Sequence, residues 1–247
     1  MIDLHSHVLP GLDDGTESLE DALALCEAAA RDGITVLAAT PHVRAHDYPT
    51  TPGQMEAALA TLRAAGPALE VVPGGELDLA ELDRPQEELR RFGLGGRPDT
   101  LLVETPYLGW PLDLAERLFR LRVQGFRVVL AHPERNGDVQ ERPELLEPIV
   151  QGGALVQLTA ASVDGRLGAN ARRCSRTLLE RGLVHLLASD AHAPSVRAVG
   201  LRAAVQEVGE ELGRWLTVDV PRALLEGGEP PPRPVVRARR RSLFRRR

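Results

Sequence analysis

Histidine, aspartate and glutamate recur along this chain where short apolar runs give way to polar residues. His5-Ser6-His7 opens the series, followed by Asp14 in Pro10-Gly11-Leu12-Asp13-Asp14-Gly15 and His42 in Ala39-Thr40-Pro41-His42. Glu76, Glu104, His132 in Ala131-His132-Pro133-Glu134-Arg135, and the pair Asp190-Ala191-His192 complete it. Imidazoles and carboxylates together are the ligand set of Zn, Mn and Fe, and shared carboxylates suit a site with more than one ion. Residues two apart on a strand point the same way, so His5 and His7 can grip one ion together, as can Asp190 and His192. Ligands that recur strand by strand need strand ends that converge, as in a barrel active site. The pattern implies a metallohydrolase.

The elements that must position these residues alternate in type. Strands are expected at Met1–His5, Ile34–Ala39, Leu69–Val72, Leu101–Val103, Val128–Ala131, Ala154–Leu158 and Val184–Ala188. Between them, helical patterns fall near 18–31, 53–65, 80–91, 112–124, 142–151, 168–181 and 196–208. Such alternation predicts an α/β fold with a parallel sheet covered by helices. Chemistry at the end of most strands favours a closed or nearly closed barrel. No glycine-rich dinucleotide fingerprint follows the first strand, which weighs against an open doubly wound sheet.

Composition narrows the function classes. The 247 residues, 43% of them hydrophobic, suffice for one large domain. Aromatic residues make up only 3%, so stacking surfaces for nucleic acid are not expected. No signal peptide precedes the first motif and no apolar run approaches the roughly 20 residues of a membrane span, so the expected compartment is the cytoplasm. Cys26 falls at helical spacing among small apolar residues and Cys174 in an arginine-rich stretch. Neither has an Arg six positions on, as thiol-based phosphatases require, so a cysteine nucleophile is not expected.

The end of the chain differs from the rest. Residues 1–229 read as the barrel, and 230–247 as a Pro- and Arg-rich basic tail expected to be disordered. All 30 basic residues are Arg, and eight of them lie in 233–247, so the chain's net charge of −5 leaves −13 on the remainder. Contact of that tail with an anionic membrane is one expectation. Elsewhere, His185 reads as a core histidine within an apolar strand. His46 and Tyr48 after His42, and Tyr107 and Trp110 after Glu104, fall in loops that should overhang the site.

The run Asp3-Leu4-His5-Ser6-His7 through Gly15, with Thr40-Pro41-His42, Ala131-His132-Pro133-Glu134-Arg135 and Ser189-Asp190-Ala191-His192, resembles the polymerase-and-histidinol-phosphatase superfamily. With Gln157-Leu158-Thr159 and Gly165-x-x-Gly168, the chain resembles its bacterial tyrosine-phosphatase branch, the CpsB/CapC type, over residues 1 to about 227. The resemblance implies a distorted (β/α)7 barrel holding three divalent ions, Mn2+ foremost, with Fe or Zn2+ as alternatives. His5, His7, Glu76 and Asp190 would hold one ion. Glu76 would bridge to a second, completed by Glu104 and His132, and Asp14, His42 and His192 would hold the third. Arg135 and Arg197 resemble the phosphate-binding arginines, whose forked geometry suits phosphate oxygens. The implied substrate is phosphotyrosine on a bacterial tyrosine kinase or related protein of capsule and exopolysaccharide synthesis. A phosphomonoesterase for histidinol phosphate or another small metabolite is one alternative; a non-catalytic module of an exopolysaccharide assembly is another.

Overall fold

The computed structural model describes residues 1–192 and 199–235. Nine strand segments are all paired in parallel: β1 Ile2–Ser6, β2 Val36–Ala39, β3 His42–Val43, β4 Glu70–Pro73, β5 Glu76–Leu77, β6 Thr100–Glu104, β7 Arg127–Ala131, β8 Leu155–Thr159 and β9 Leu186–Ala188. They form two sheets, β1-β2-β4 and β3-β5-β6-β7-β8-β9. Two of the seven expected strands, Ile34–Ala39 and Leu69–Val72, are each followed by a further short segment that was not expected, β3 and β5. Between β2 and β3 stands Thr40-Pro41, where proline offers no N–H to a ladder. Between β4 and β5 stands Gly74-Gly75, where a Cβ would lie 2.9 Å from Thr40 Cγ2 or 3.0 Å from Phe92 Cδ1. Both breaks fall just before a candidate ligand, His42 or Glu76.

The first and last strands also meet. Ser6 and Ala191 form a parallel bridge, the Asp190 amide donates to His5 O at 2.9 Å, and the His7 amide donates to Ala191 O at 2.8 Å. Asp3, fully buried, accepts from the Ser189 amide at 3.0 Å and ties the same seam one level lower. The circuit of seven strand paths is therefore joined at the level of the ligands. Parallel strands buried on both faces need apolar side chains throughout. Leu4, Leu37, Leu101, Val129, Leu158 and Leu187 supply them, each at most 3% exposed.

Helices cover the sheet where sequence signals place most of them. Ser18 caps Leu19–Asp32 by accepting from the Asp21 amide, and Gly33 at φ 92° closes it. Thr51 and Gln54 form a capping box on Pro52–Ala64. The helix expected over 80–91 is broken at Pro85 into a 3-10 turn, Leu79–Asp83, and a short helix, Gln86–Leu89. The one expected near 196–208 begins at Arg202; residues 193–198 lie outside the described residues. Glu210–Arg214, the π-helical turn Trp215–Asp219 and Val220–Leu225 were not expected as elements.

The proline run does not separate from the barrel at residue 230. Arg127, at the start of β7, donates to Gly228 O at 2.9 Å, and Trp215 Nε1 donates to Pro231 O at 2.9 Å. Arg233 donates to Val184 O and Leu179 O, both at 2.8 Å, with its guanidinium 5.6 Å from the Trp215 ring centre. Residues 228–233 thus form a strap along the end of the barrel where strands begin. The rest of the expected tail, 236–247, lies outside the described residues. Among the described residues, no helix is long and apolar enough to cross a membrane.

Candidate metal centre

All nine candidate ligands gather at the ends of the strands. Groups whose ligating atoms lie within 4.8 Å of one another are His5-His7-Asp190, His7-Asp14-His42-His192, His5-Glu76-His132 and His42-Glu76-Glu104. His5 and His7 both face Asp190 Oδ1, at 3.5 and 3.2 Å, and both face Glu76 Oε2, at 3.3 and 3.4 Å. Glu76 sits centrally: its Oε1 is 2.8 Å from His132 Nε2, and its Oε2 is 2.8 Å from His42 Nδ1. Asp14 lies 3.3 Å from His192 Nε2 and 3.5 Å from His42 Nε2. It is the most exposed member; the other eight are buried. Glu104 groups with His42 and Glu76, while His132 groups with His5 and Glu76.

The donor set fits divalent cations. His42 Nδ1 and Glu76 Oε2 stand 2.8 Å apart without hydrogen-bond alignment, and each is buried with no hydrogen-bond partner. Glu104 Oε1 and His132 Nδ1 are likewise buried and unpartnered. Buried polar atoms normally find partners, so a cluster of orphans on imidazoles and carboxylates marks a place built for cations. His132 and Asp190 add a second sign. They are the two non-glycine residues with positive φ among the described residues, at 33° and 52°. Such conformations cost about 1–3 kcal/mol each and collect at functional sites.

A second layer of residues orients the imidazoles. His7 Nδ1 is 2.7 Å from Asp13 Oδ2, which also accepts from the His42 amide at 2.9 Å. His5 Nδ1 is 3.0 Å from Gln157 Oε1, and His192 Nδ1 is 2.9 Å from Asp190 O. Fixing one ring nitrogen leaves the other for a metal. Glu134, buried beneath His132, accepts from the Thr159 amide at 2.9 Å. Charges in the cluster hold one another. Burial disfavours the imidazolium of His7, but Asp13, Asp190 and Glu76 outweigh it and raise its pKa well above the usual value. Burial likewise disfavours the Asp190 carboxylate, yet His5, His7 and His132 hold it well below the usual range. Asp3 has no comparable cationic neighbourhood, and burial pushes it up to about 6.

Among the described residues, two guanidinium groups reach the cluster. Arg135 Nη1 donates to Asp190 Oδ2 at 2.5 Å and Nη2 to Tyr107 Oη at 2.6 Å. Arg44 donates through Nε to Glu104 Oε2 at 3.0 Å and through Nη2 to the same oxygen. Sequence reading missed Arg44, although it stands two residues past His42, the spacing that puts strand neighbours on one side. It missed Asp13 too, despite its place beside Asp14. Arg197, the other expected phosphate-binding arginine, lies outside the described residues.

The loop aromatics separate into two kinds. Tyr48 stacks on His42 with ring centres 5.5 Å apart, and Tyr107 stacks on His132 at 6.4 Å. Trp110 packs against the core instead, and His46 is exposed. His185 is structural: its Nδ1 accepts from the Val156 amide at 3.1 Å. Both thiols are buried and free, and burial pushes Cys26 up to about 11 and Cys174 up to about 12. Neither can supply a thiolate near neutral pH.

Fold and site together define a parallel α/β barrel with a candidate metal centre at its mouth. The chain belongs to the CpsB/CapC family of capsular polysaccharide synthesis, whose model matches residues 1–225. It is 32% identical to the tyrosine-protein phosphatase YwqE of Bacillus subtilis, over 99% of each chain. It is 30% identical to a Staphylococcus aureus protein named as the putative tyrosine-protein phosphatase CapC, over 82% of this chain and 81% of the relative. A crystal structure from work on YwqE and Streptococcus pneumoniae CpsB, described as metal-dependent tyrosine phosphatases, superposes with a TM-score of 0.84. Identity there is 31%, over 96% of this chain and 100% of the other.

Proposed function

We propose that this chain is a metal-dependent protein-tyrosine phosphatase acting on phosphotyrosine of a bacterial tyrosine kinase or related protein in capsule or exopolysaccharide synthesis. Nine ligating groups converging beside the Arg135 guanidinium, with no thiol able to act, favour metal-assisted phosphoester hydrolysis. Its relatives' names support phosphotyrosine as substrate. His5, His7 and Asp190 would hold one ion, Glu76 would bridge to a second with Glu104 and His132, and Asp14, His42 and His192 would hold a third. A carboxylate-rich set suits Mn2+ or Fe better than an all-imidazole site would. Bound divalent ions supply positive charge for the phosphate oxygens and activate water for in-line attack.

The chain's own residues do the rest. Arg135, anchored by Asp190 and Tyr107, would offer its guanidinium to the phosphate oxygens. Arg197 is assigned the same role on its motif position alone. Tyr48, stacked on His42, and Tyr107, stacked on His132, would contact the aryl group of the substrate. Its place of action would be the cytoplasm, beside a membrane kinase. Exhaustive chelation should abolish turnover of a phosphotyrosine peptide, and Mn2+ should restore it, in wild type and in a Cys26→Ser, Cys174→Ser variant alike. Retained activity without metal, or a strong preference for histidinol phosphate over the peptide, would reject the assignment.

A further inference from the structure

Among the described residues, large apolar side chains exposed to solvent fall almost wholly within one stretch of sequence, residues 107–123. Tyr107, Leu108, Leu112, Phe119 and Val123 are 44, 83, 100, 53 and 73% exposed; the remaining exposed large hydrophobic, Val235, lies at the other end of the chain. The first three belong to the loop leaving β6 directly after Glu104. Phe119 and Val123 stand four apart on the helix Leu114–Val123 that follows, and so share a face.

The loop is held in place rather than loose. Asn136 Nδ2 donates to Pro106 O at 2.7 Å and to Gly109 O at 3.3 Å, and the Gly137 amide donates to Tyr107 O at 3.0 Å. Leu108 leans over Gly137, its Cδ2 3.8 Å from where a Cβ there would stand. Gly137 lies two residues past Arg135, whose other hand holds the Tyr107 hydroxyl. Leu108 is therefore fixed one residue away from the ring that contacts the phosphate-binding arginine. An extended peptide advances about 3.4 Å per residue, so a near neighbour of a phosphotyrosine seated beside Tyr107 comes within reach of Leu108, with Leu112 four residues further along the same loop.

We propose that Leu108 and Leu112 form a docking ridge for an aliphatic or aromatic side chain one to three residues from the phosphotyrosine of the substrate. The inference rests on the phosphatase reading above and adds to it a sequence preference. Isolated exposed apolar residues need no explanation, but a rigid cluster at a site mouth does. A substrate segment fits this ridge better than a second copy of the chain. Leu108 and Leu112 alone expose far less than the roughly 800 Å² per partner of a stable protein pair.

The test uses the full chain with Mn2+, as wild type and as the Leu108→Ser, Leu112→Ser double variant. Three substrates are compared: p-nitrophenyl phosphate, a phosphotyrosine peptide with Leu at the flanking positions, and the same peptide with Ser there. Wild type should favour the Leu peptide by roughly tenfold in kcat/KM, mostly through KM, the size expected for burying one such side chain. In the variant the two peptides should converge, with the ratio of Leu-peptide to p-nitrophenyl phosphate kcat/KM falling about tenfold. Equal use of both peptides by wild type, or a preference that survives in the variant, overturns the ridge while leaving the phosphatase reading standing. No turnover of either peptide removes that reading and the ridge with it. A wild type that sediments as a dimer and a variant that sediments as a monomer would give the patch to a second copy and overturn the proposal.

Discussion

Arg44 grips one oxygen of Glu104 and leaves the other alone. Two of its guanidinium nitrogens converge on Oε2, the oxygen that also lies 3.7 Å from His42 Nδ1, while Oε1 is buried without a partner. The arrangement is set by a small loop in which Arg44 and Tyr48 exchange both backbone hydrogen bonds, at 2.9 and 3.0 Å. Arg44 thereby balances the charge of Glu104 and fixes its carboxylate beside His42, with Oε1 left for a metal. Replacing Arg44 by Gln should weaken metal binding by about 10- to 100-fold, the usual effect of losing an outer-layer partner. Metal content after dialysis and the Mn2+ concentration for half-maximal activity both report it. Unchanged values for both would leave Arg44 without this role.

Arg135 differs, because its guanidinium spans from Asp190 to the Tyr107 hydroxyl of the mouth loop and is the group proposed to meet the phosphate. Arg135→Ala should lower kcat/KM for any phosphomonoester by about 100-fold, in the range of losing one transition-state donor. Arg135→Lys should recover little, since a point charge cannot make the bidentate contact. Because Arg135 also holds the ligand Asp190, metal affinity should fall too, so the comparison is made at saturating Mn2+. A loss below about threefold would place the phosphate elsewhere.

Strand-borne chemistry was legible because ligands two apart must share a side of their strand, whatever the loops do. His5 and His7 could be read that way, and the barrel followed from alternation; Asp190 and His192 instead lie past the end of β9, Asp190 at φ 52°, and fall in different ligand groups. The breaks at Pro41 and Gly74-Gly75 were not read, although they set His42 and Glu76 in strand segments of their own. A residue that works by reaching a partner distant in sequence leaves little local trace: Arg44 meets Glu104 sixty positions on. Helices 210–225 lack strong caps and hold their place by tertiary packing of Trp215, Leu216, Val220 and Leu224. Local propensity alone does not announce such elements.

His185 provides a stability signal separate from the metal centre. Burial and then the nearby Arg233 lower its pKa from 6.5 to about 4, and its neutral Nδ1 accepts from the Val156 amide. The unfolded chain takes up this proton near 6.5 and the folded chain only near 4. Stability is therefore complete above about pH 6.5 and lost as pH falls toward 4, by at most ~3 kcal/mol. Denaturant titrations in chelator at pH 7.5 and 5.0 should show a smaller acid penalty in His185→Gln, which keeps an acceptor without titrating. Identical penalties in the two proteins would show that His185 is not responsible.

Two truncations separate the strap from the residues beyond it. A chain ending at Val235 should melt like the full protein, because Arg233 and its carbonyl partners are retained. One ending at Pro232 loses two charge-assisted hydrogen bonds that are only half shielded from solvent, together worth about 1–2 kcal/mol. Its melting temperature should fall by roughly 2–6 °C. Equal melting of the two truncated chains would make the Arg233 contacts energetically silent.

The strap also decides which way the enzyme can face. Arg233 is fastened at Val184 and Leu179, below the start of β9, whereas the ligand cluster lies beyond the ends of the strands. Twelve residues follow Val235, seven of them Arg, and their contour cannot exceed about 40 Å. If an anionic surface holds those arginines, the molecule stands on its base with the mouth turned outward. A phosphotyrosine anchored close to the same surface would then be out of reach. Only substrates whose modified tyrosines sit on long, loose segments could bend over the height of the barrel and enter from above, so the point of attachment itself would act as a filter on substrate length.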